Sequence, residues 1–477
     1  MKKAENFEIK TIEIRKVGED HAIKPYAKLT DVVLGFQYFE DITIPSVSAT
    51  LFISDKAANL PSSMPIQGFE LVTMELTDRN GKDHQYEFRV WKVGNRVSTE
   101  KGQGYVLGLI STAGLINEGV KVNALLKGTA NTIVKKVLQD YLNIPEAKVR
   151  SDEATNIMKI FPAGKSPFAV IRDLQSKAIS KDSFAASGNS AISSIDIDAS
   201  DTVVASSDTA EDTKQLKGSA GYFFWETKDG VNFRSIDSMA SKDPKKFGGS
   251  ESVATYEFAP AMVEQTEALD PYKIQEITFL SELDLLKKLR EGAYSTECTF
   301  FDINTGVLTE YTYKLSENWD KMGHLGTATK LPWGQEQLSQ YPTRRLSSVI
   351  NHELWHNGTE IASNESEADS DEPSEVTDNQ KQFLVQSIAR AGSLFNQQLM
   401  ISIPGNLDLR AGDKVTVMIP NQIPEKLRET EGDFDPEHSG VYLIKKLNHQ
   451  FDRIKMSVYT VLELIRDCYG YEDTATK

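Results

Sequence analysis

The chain is poor in cysteine, with two in 477 residues, Cys298 and Cys468. Thiols this scarce cannot frame a disulfide-stapled fold, and they fit assembly in a reducing cytoplasm. No run approaches the roughly 18 consecutive apolar residues that a membrane span needs. The opening Met1-Lys2-Lys3-Ala4-Glu5-Asn6 has no apolar stretch behind its lysines, which argues against a secretory signal. Basic charge is short as well. Lys and Arg number 53 against 69 Asp and Glu, a formal net charge of -16. Binding nucleic acid through its phosphates needs clustered cations, so that class is disfavoured. The acidic surface serves solubility; a sharper alternative is that part of it lines a passage through which DNA slides without sticking. Hydrophobic residues at 39% and charged residues at 26% describe a folded protein rather than a disordered one. At this length more than one core is expected, since single cores stop growing near about 250–300 residues.

What is present is mostly the alternation of strands. Val47, Ala49, Leu51 and Ile53 alternate with Ser46, Ser48, Thr50 and Phe52, the period of a strand with one buried face. Asn80-Gly81 separates residues 71–77 from the alternating His84, Tyr86, Phe88 and Val90, a strong hairpin signal. A further pair, 91–97 and 105–111, flanks the Gly-rich 101–104. Residues 1–122 therefore read as an all-β domain, a small barrel or sandwich. Helical spacing begins at Thr129, which can cap 130–142, and returns behind Ser166-Pro167 with Phe168, Ile171, Leu174 and Ile179 on one face. Residues 181–219 are dominated by Ser, Ala, Asp and Thr and read as a mobile loop. A hairpin follows, 221–227 and 231–236 about the turn Lys228-Asp229-Gly230. These make 123–250 an α/β module. Residues 251–470 are β-rich again, with strands at 273–280, 294–301, 307–314, 398–403, 414–419, 440–447 and 455–464. Helices fall at 282–290 and 382–397, an acidic loop at 361–379, and a tail at 471–477.

One motif carries chemistry on its face. His352-Glu353-Leu354-Trp355-His356 is an H-E-x-x-H run, which on a helix would set two imidazoles on one side to hold zinc while the glutamate activates water. Asn357-Gly358 follows at once as a stop signal. A third ligand would have to come from Glu365, Glu367 or Glu372 in the acidic loop. The expectation is no metal, no cofactor and no catalytic residue, with the run as plain strand-end or helix-end residues. Gly102-Gln103-Gly104 and Phe247-Gly248-Gly249 lack the setting of a phosphate loop and read as turns. His449 reads as a satisfied polar residue at a strand end, and Tyr222, Phe223, Phe224 and Trp225 as core and interface material.

Three segments in this order resemble the baseplate hub family of contractile phage tails, which is related to the hub part of type VI secretion spikes. They are 165–174 with 221–237, then 403–417 (Ile403-Pro404-Gly405-Asn406 to Ala411-Gly412-Asp413), then 440–449 with 456–464. In 403–417 the two turn signals flank an expected strand at a barrel corner. The resemblance implies an α+β, mostly β fold: two tube-type antiparallel β-barrel domains, 1–122 and 251–470, with the α/β module between them. It further implies a non-enzymatic homotrimer joining a sixfold tail tube to a threefold central spike. Its partners would be the central spike protein, tail tube or tube-initiator proteins and other baseplate proteins. DNA would pass without specific binding, and no membrane insertion is expected. The location is the virion tail baseplate, after synthesis in the host cytoplasm. The alternatives are a tail-associated zinc metallopeptidase or cell-wall hydrolase built on the H-E-x-x-H run, and the hub of a non-phage contractile injection particle.

Overall fold

The computed structural model describes residues 7–17, 23–55, 65–99, 102–180, 219–241, 250–258, 271–281, 284–303, 306, 308–319, 322–326, 341–350, 355–356, 377–421, 434–435 and 437–468. The loop expected at 181–219 therefore lies outside them except for Ser219, as does 361–376 of the acidic loop and Phe247-Gly248-Gly249.

Seven strands open the chain: β1 (Glu8–Val17), β2 (Ile23–Lys28), β3 (Val33–Asp41), β4 (Ser48–Asp55), β5 (Leu71–Thr77), β6 (Asp83–Thr99) and β7 (Gly102–Ile110). The burial of β4 alternates at every residue, the outcome expected from its period of two. The 78–82 turn joins β5 to β6 as its Asn-Gly signals. Gly102 and Gly104 lie on β7 rather than in a turn.

The module follows. It contains α1 (Thr112–Gly119), β8 (Leu126–Thr129), α2 (Ala130–Leu142), β9 (Val149–Ser151), β10 (Ile157–Ile160), α3 (Pro167–Gln175), β11 (Tyr222–Thr227), β12 (Gly230–Ser235) and α4 (Ile236–Ala240). Ile133, Val137 and Leu138 of α2 pack with Phe168, Ile171 and Leu174 of α3 against Phe224 and Phe233. Helix α3 ends at Gln175, so Ile179 is not on its face; it bridges to Ala220 instead. Helix α1 has no apolar period strong enough to announce it. Ser111 caps it by accepting from the Gly114 amide.

The last region holds β13 (Ala254–Phe258), β14 (Lys273–Ile274), β15 (Glu276–Ser281), α5 (Leu285–Glu291), β16 (Ser295–Asp302), β17 (Leu308–Lys314), α6 (Leu315–Asn318), β18 (Arg344–Ile350), β19 (Trp355–His356), α7 (Thr377–Leu394), β20 (Gln397–Pro404), β21 (Lys414–Met418), β22 (Gly440–Asp452) and β23 (Ser457–Arg466). Two sequence expectations change here. No strand lies between the turns of 403–417, because Leu407 and Leu409 bury themselves from a loop. Strand β22 runs on to Asp452, because His449 and Phe451 continue its buried face; the turn is Arg453 to Met456.

Two separate barrels are the sequence expectation. All seven strands of the first end and seven of the last fall instead in one 14-stranded sheet, while β16, β17 and β18 form a sheet of their own and β19 joins β10 and β8; none of the sheets closes. The cause is β22. One edge pairs β23 from Leu443 to Asp452. The other pairs β21 from Gly440 to Leu443 and then, past a register shift at Lys445, pairs β3 from Lys446 to Asp452. Gly35 makes the join possible, since a Cβ there would stand 2.4 Å from the Phe451 carbonyl oxygen. Under the join Phe36 stacks on Phe451 with ring centroids 3.9 Å apart. Phe36, Leu51 and Leu107 share one core with Ile401, Val417 and Leu464. The fold is mostly β. No helix among the described residues is long and apolar enough to cross a membrane.

Candidate functional site at a buried polar junction

Where β22 forks, side chains from all three regions meet. In β3 the residues Phe36, Tyr38 and Glu40 share the inward parity, so strand geometry drives a carboxylate into the interior. Glu40 is 1% exposed. Its Oε1 accepts from Tyr38 Oη at 2.6 Å and from the Lys228 amide at 3.0 Å; its Oε2 accepts from the Ala411 amide at 2.7 Å. One carboxylate thus ties the first region to the module hairpin and to the 405–413 loop.

That loop is held from both sides. Arg410 donates from Nε and Nη2 to Asp229 at 2.7 and 3.2 Å, and from Nη1 to the carbonyls of Leu407 and Leu409 at 2.7 Å each. The Gly412 amide donates to the Ile444 carbonyl and the Ile444 amide to the Asp413 carbonyl, both at 2.8 Å, which fastens the loop onto β22 beside its bulge. Trp225 Nε1 donates to the Ala411 carbonyl at 3.0 Å. Gly412 sits at φ +89° against the indole, with room for no side chain: a Cβ would be 2.4 Å from Trp225 Cζ2.

The charges are tuned by their surroundings. Burial pushes the Glu40 carboxyl up to about 7, opposed by the Arg410 guanidinium and the donated hydrogen bonds. Burial likewise raises Glu226 to about 7, although its Oε2 accepts from the Val47 amide at 3.1 Å. Lys228 is lowered to about 8, first by burial and then by Arg410. Its ammonium lies 2.8 Å from His84 Nδ1 and 4.6 Å from the centroid of Tyr86. An ammonium has no lone pair, so Nδ1 accepts and the His84 proton sits on Nε2, facing Asp78. Burial, then Lys228, lowers His84.

A second ion cluster lies beneath. Arg390 of α7 is fully buried between Asp237 of α4 and Asp467 just past β23, with a nitrogen 3.5 Å from each carboxylate. Asp237 also accepts from Ser180 Oγ, the Ser219 amide and hydroxyl, and the Gly323 amide. The Leu325 amide donates to Asp467 Oδ1 at 3.0 Å.

The carboxylates and cations of both clusters face one another and the main chain, the arrangement of a joint rather than of a reacting centre. His352 and Glu353 lie outside the described residues, as do Glu365, Glu367 and Glu372. The other end of the run is extended: Trp355 and His356 form β19, paired with Met158 and Ile157. No group of three metal-ligating side chains occurs among the described residues. His449 is in mid-strand rather than at a strand end. It is buried, with Nδ1 2.9 Å from Thr460 Oγ1, and desolvation lowers it well below the usual histidine range. Tyr222, Phe224 and Trp225 are core, while Phe223 is half-buried against Phe395.

Sequence reasoning missed the junction because its residues sit in turns and at unremarkable spacings. Glu40 had a signal in hindsight, a carboxylate at the parity of Phe36 and Tyr38. So had Arg390, since Gln386, Arg390 and Ser393 form a polar stripe on a helix that buries them all.

The fold has a counterpart in a solved tail protein. A tail protein from Neisseria meningitidis MC58 matches over 97% of this chain and 97% of its own, at a TM-score of 0.50 and 14% sequence identity. A 43 kDa tail protein of prophage MuSo2 from Shewanella oneidensis matches over 96% and 98%, at 0.45 and 10%. An E. coli type VI secretion component, itself similar in structure to T4 bacteriophage tail proteins gp27 and gp5, matches over 99% and 80%, at 0.39 and 10%. Neither a protein-family model nor a curated protein matches the sequence.

Proposed function

We propose that the chain is a structural, non-enzymatic baseplate hub of a contractile tail. It is a homotrimer that joins a sixfold tail tube to a threefold central spike and forms part of the DNA conduit. Residues 1–122 and 251–470 each act as one tube-like segment, and 123–250 is the module between them. The observation that carries this reading is the pairing of β3 with β22. One chain thereby places a strand-rich half from each end side by side in a continuous sheet, so three copies supply six such halves. The full-length likeness in fold to the Neisseria tail protein supports the same reading. The partners are the spike, the tube or tube-initiator proteins and other baseplate proteins, and the location is the virion tail.

The buried junction gives the molecule what an adaptor needs. Its two halves and the module are tied by desolvated hydrogen bonds, which fix their relative setting more strictly than apolar contact alone. Native mass measurement, followed by particle imaging with the neighbouring tail proteins, tests the reading. A threefold particle with the spike at one end is expected. A chain that stays monomeric and joins no threefold or sixfold particle refutes it.

A further inference from the structure

Lys228 reaches from the module to the first region and rests there on one ring nitrogen. Its ammonium donates to His84 Nδ1 at 2.8 Å. His84 is 2% exposed, and β6 seats it opposite Leu76 of β5. Its Nε2 faces Asp78 Oδ2 at 3.4 Å. A neutral imidazole can accept through Nδ1, whereas an imidazolium carries a proton on both nitrogens and accepts nothing. A second proton on this pair therefore replaces a hydrogen bond by two cations in contact, away from water.

The charges around the pair leave that conflict standing. Asp78, Lys82 and Asp83 come from the 78–82 turn and β6, and Asp229 from the module turn. Asp408 and Arg410 come from the 405–413 loop, His449 from β22 and Glu40 from β3. The acids are already engaged. Asp83 pairs Lys10 at 2.6 Å, Asp408 pairs Lys82, and Asp229 pairs Arg410 at 2.7 Å. Asp78 spends Oδ1 on the amides of Asn80 and Lys82, at 2.8 and 2.9 Å. The Tyr86 ring lies 4.6 Å from the Lys228 ammonium, and Arg410 adds a further cation beside it. Burial, then Lys228, lowers the His84 imidazole, the direction this crowding requires. Retreat of the Lys228 side chain pulls on a turn whose amide is fixed to Glu40 at 3.0 Å.

We infer that the His84–Lys228 contact is an acid-sensitive catch between the first region and the module: a proton taken up by His84 expels the Lys228 ammonium and loosens the 228–229 turn. The sign follows from the histidine being held below its ordinary value. Its contribution is full above about pH 6.5 and is lost as pH falls through the folded value. Glu40 and Glu226, both raised, act in the opposite sense, so the reading has to be local. Amide hydrogen exchange of the full chain, corrected for the intrinsic rate, is followed by mass spectrometry between about pH 7 and about pH 4.5. In the native protein, peptides spanning the β11–β12 hairpin should exchange about tenfold or more faster at the acid end, while those of β4 keep their protection. His84→Gln offers Lys228 an acceptor that takes no proton, and its hairpin should respond little to acid. Lys228→Met removes the opposing cation and should be equally flat, which keeps the test decisive if His84→Gln does not fold. Acceleration of the same size in a folded variant overturns the inference, as does a native hairpin whose exchange ignores acid. The readout is the same in a monomer or a trimer, so neither result bears on the assembly.

Discussion

Replacing Arg390 by methionine keeps most of the side-chain volume and removes the cation that lies between two buried carboxylates. Asp237, Asp467 and the guanidinium are all fully buried, and each ion pair spans 3.5 Å. Breaking a buried pair from one side typically costs about 3–5 kcal/mol, because the remaining charge keeps its desolvation penalty. The structure says where that cost falls. Asp237 retains donors from Ser180, Ser219 and Gly323. Among the described residues Asp467 retains the Leu325 amide on Oδ1 alone, and its Oδ2 has no hydrogen-bond partner. Asp467→Asn in the Arg390→Met background should therefore recover much of the loss. Asp237→Asn should not, since its new NH₂ would face donors. Urea unfolding followed by tryptophan fluorescence reads the effect, as Trp225 and Trp319 lie in the adjoining core. The Arg390→Met midpoint should fall by roughly 1–2 M. A loss under about 1 kcal/mol, or equal rescue by the two asparagines, would refute the reasoning.

Three further outcomes can be checked the same way. Gly412→Ala should cost about 2–4 kcal/mol, from its positive φ together with the clash on Trp225, and should shift that indole's emission. Asp229→Asn should cost under about 1 kcal/mol despite its two hydrogen bonds to Arg410, because the Asp229 side chain is 68% exposed. Glu40 and Glu226 have folded pKa values raised to about 7 by burial, so each prefers its proton in the fold. Their contribution is full below about pH 4.5 and is lost as pH rises through 7, by up to about 3 kcal/mol each. Urea midpoints should drop between pH 5 and pH 8, and Glu226→Gln should flatten that slope.

Local periodicity made the strands and helices legible wherever a single face is buried. Strand β4, the Asn80-Gly81 turn, α2 and the β16–β17 hairpin all follow from residues within reach of one another in sequence. The join of the two ends did not follow, because it rests on β22 changing partner at a bulge, and no period records a partner. The tight packing at Gly35 and Gly412 was equally silent, since a glycine in a strand or turn has the same appearance whether or not a backbone or indole presses on it. The junction was hidden for a related reason. Lys228-Asp229 is a sound turn signal, and the turn is there; what the turn touches is decided by Arg410, far along the chain.

That distance bears on why the junction is polar. Glu40 and the Ala411 amide lie 371 residues apart in sequence, so the contact forms only after nearly the whole chain is available. Until β22 arrives, β3 presents an open edge above the aromatic face of Phe36 and Tyr38, and an apolar surface there would accept many partners. A buried carboxylate does not: it is stable only where the Ala411 and Lys228 amides and the Tyr38 hydroxyl converge on it, and any misplaced strand leaves it desolvated and unpaired. The same argument covers Arg390, whose charge is tolerable only when α4 and the end of β23 have both been set in place. Hydrophobic burial holds the two ends together, and the buried charges select the one arrangement in which they fit.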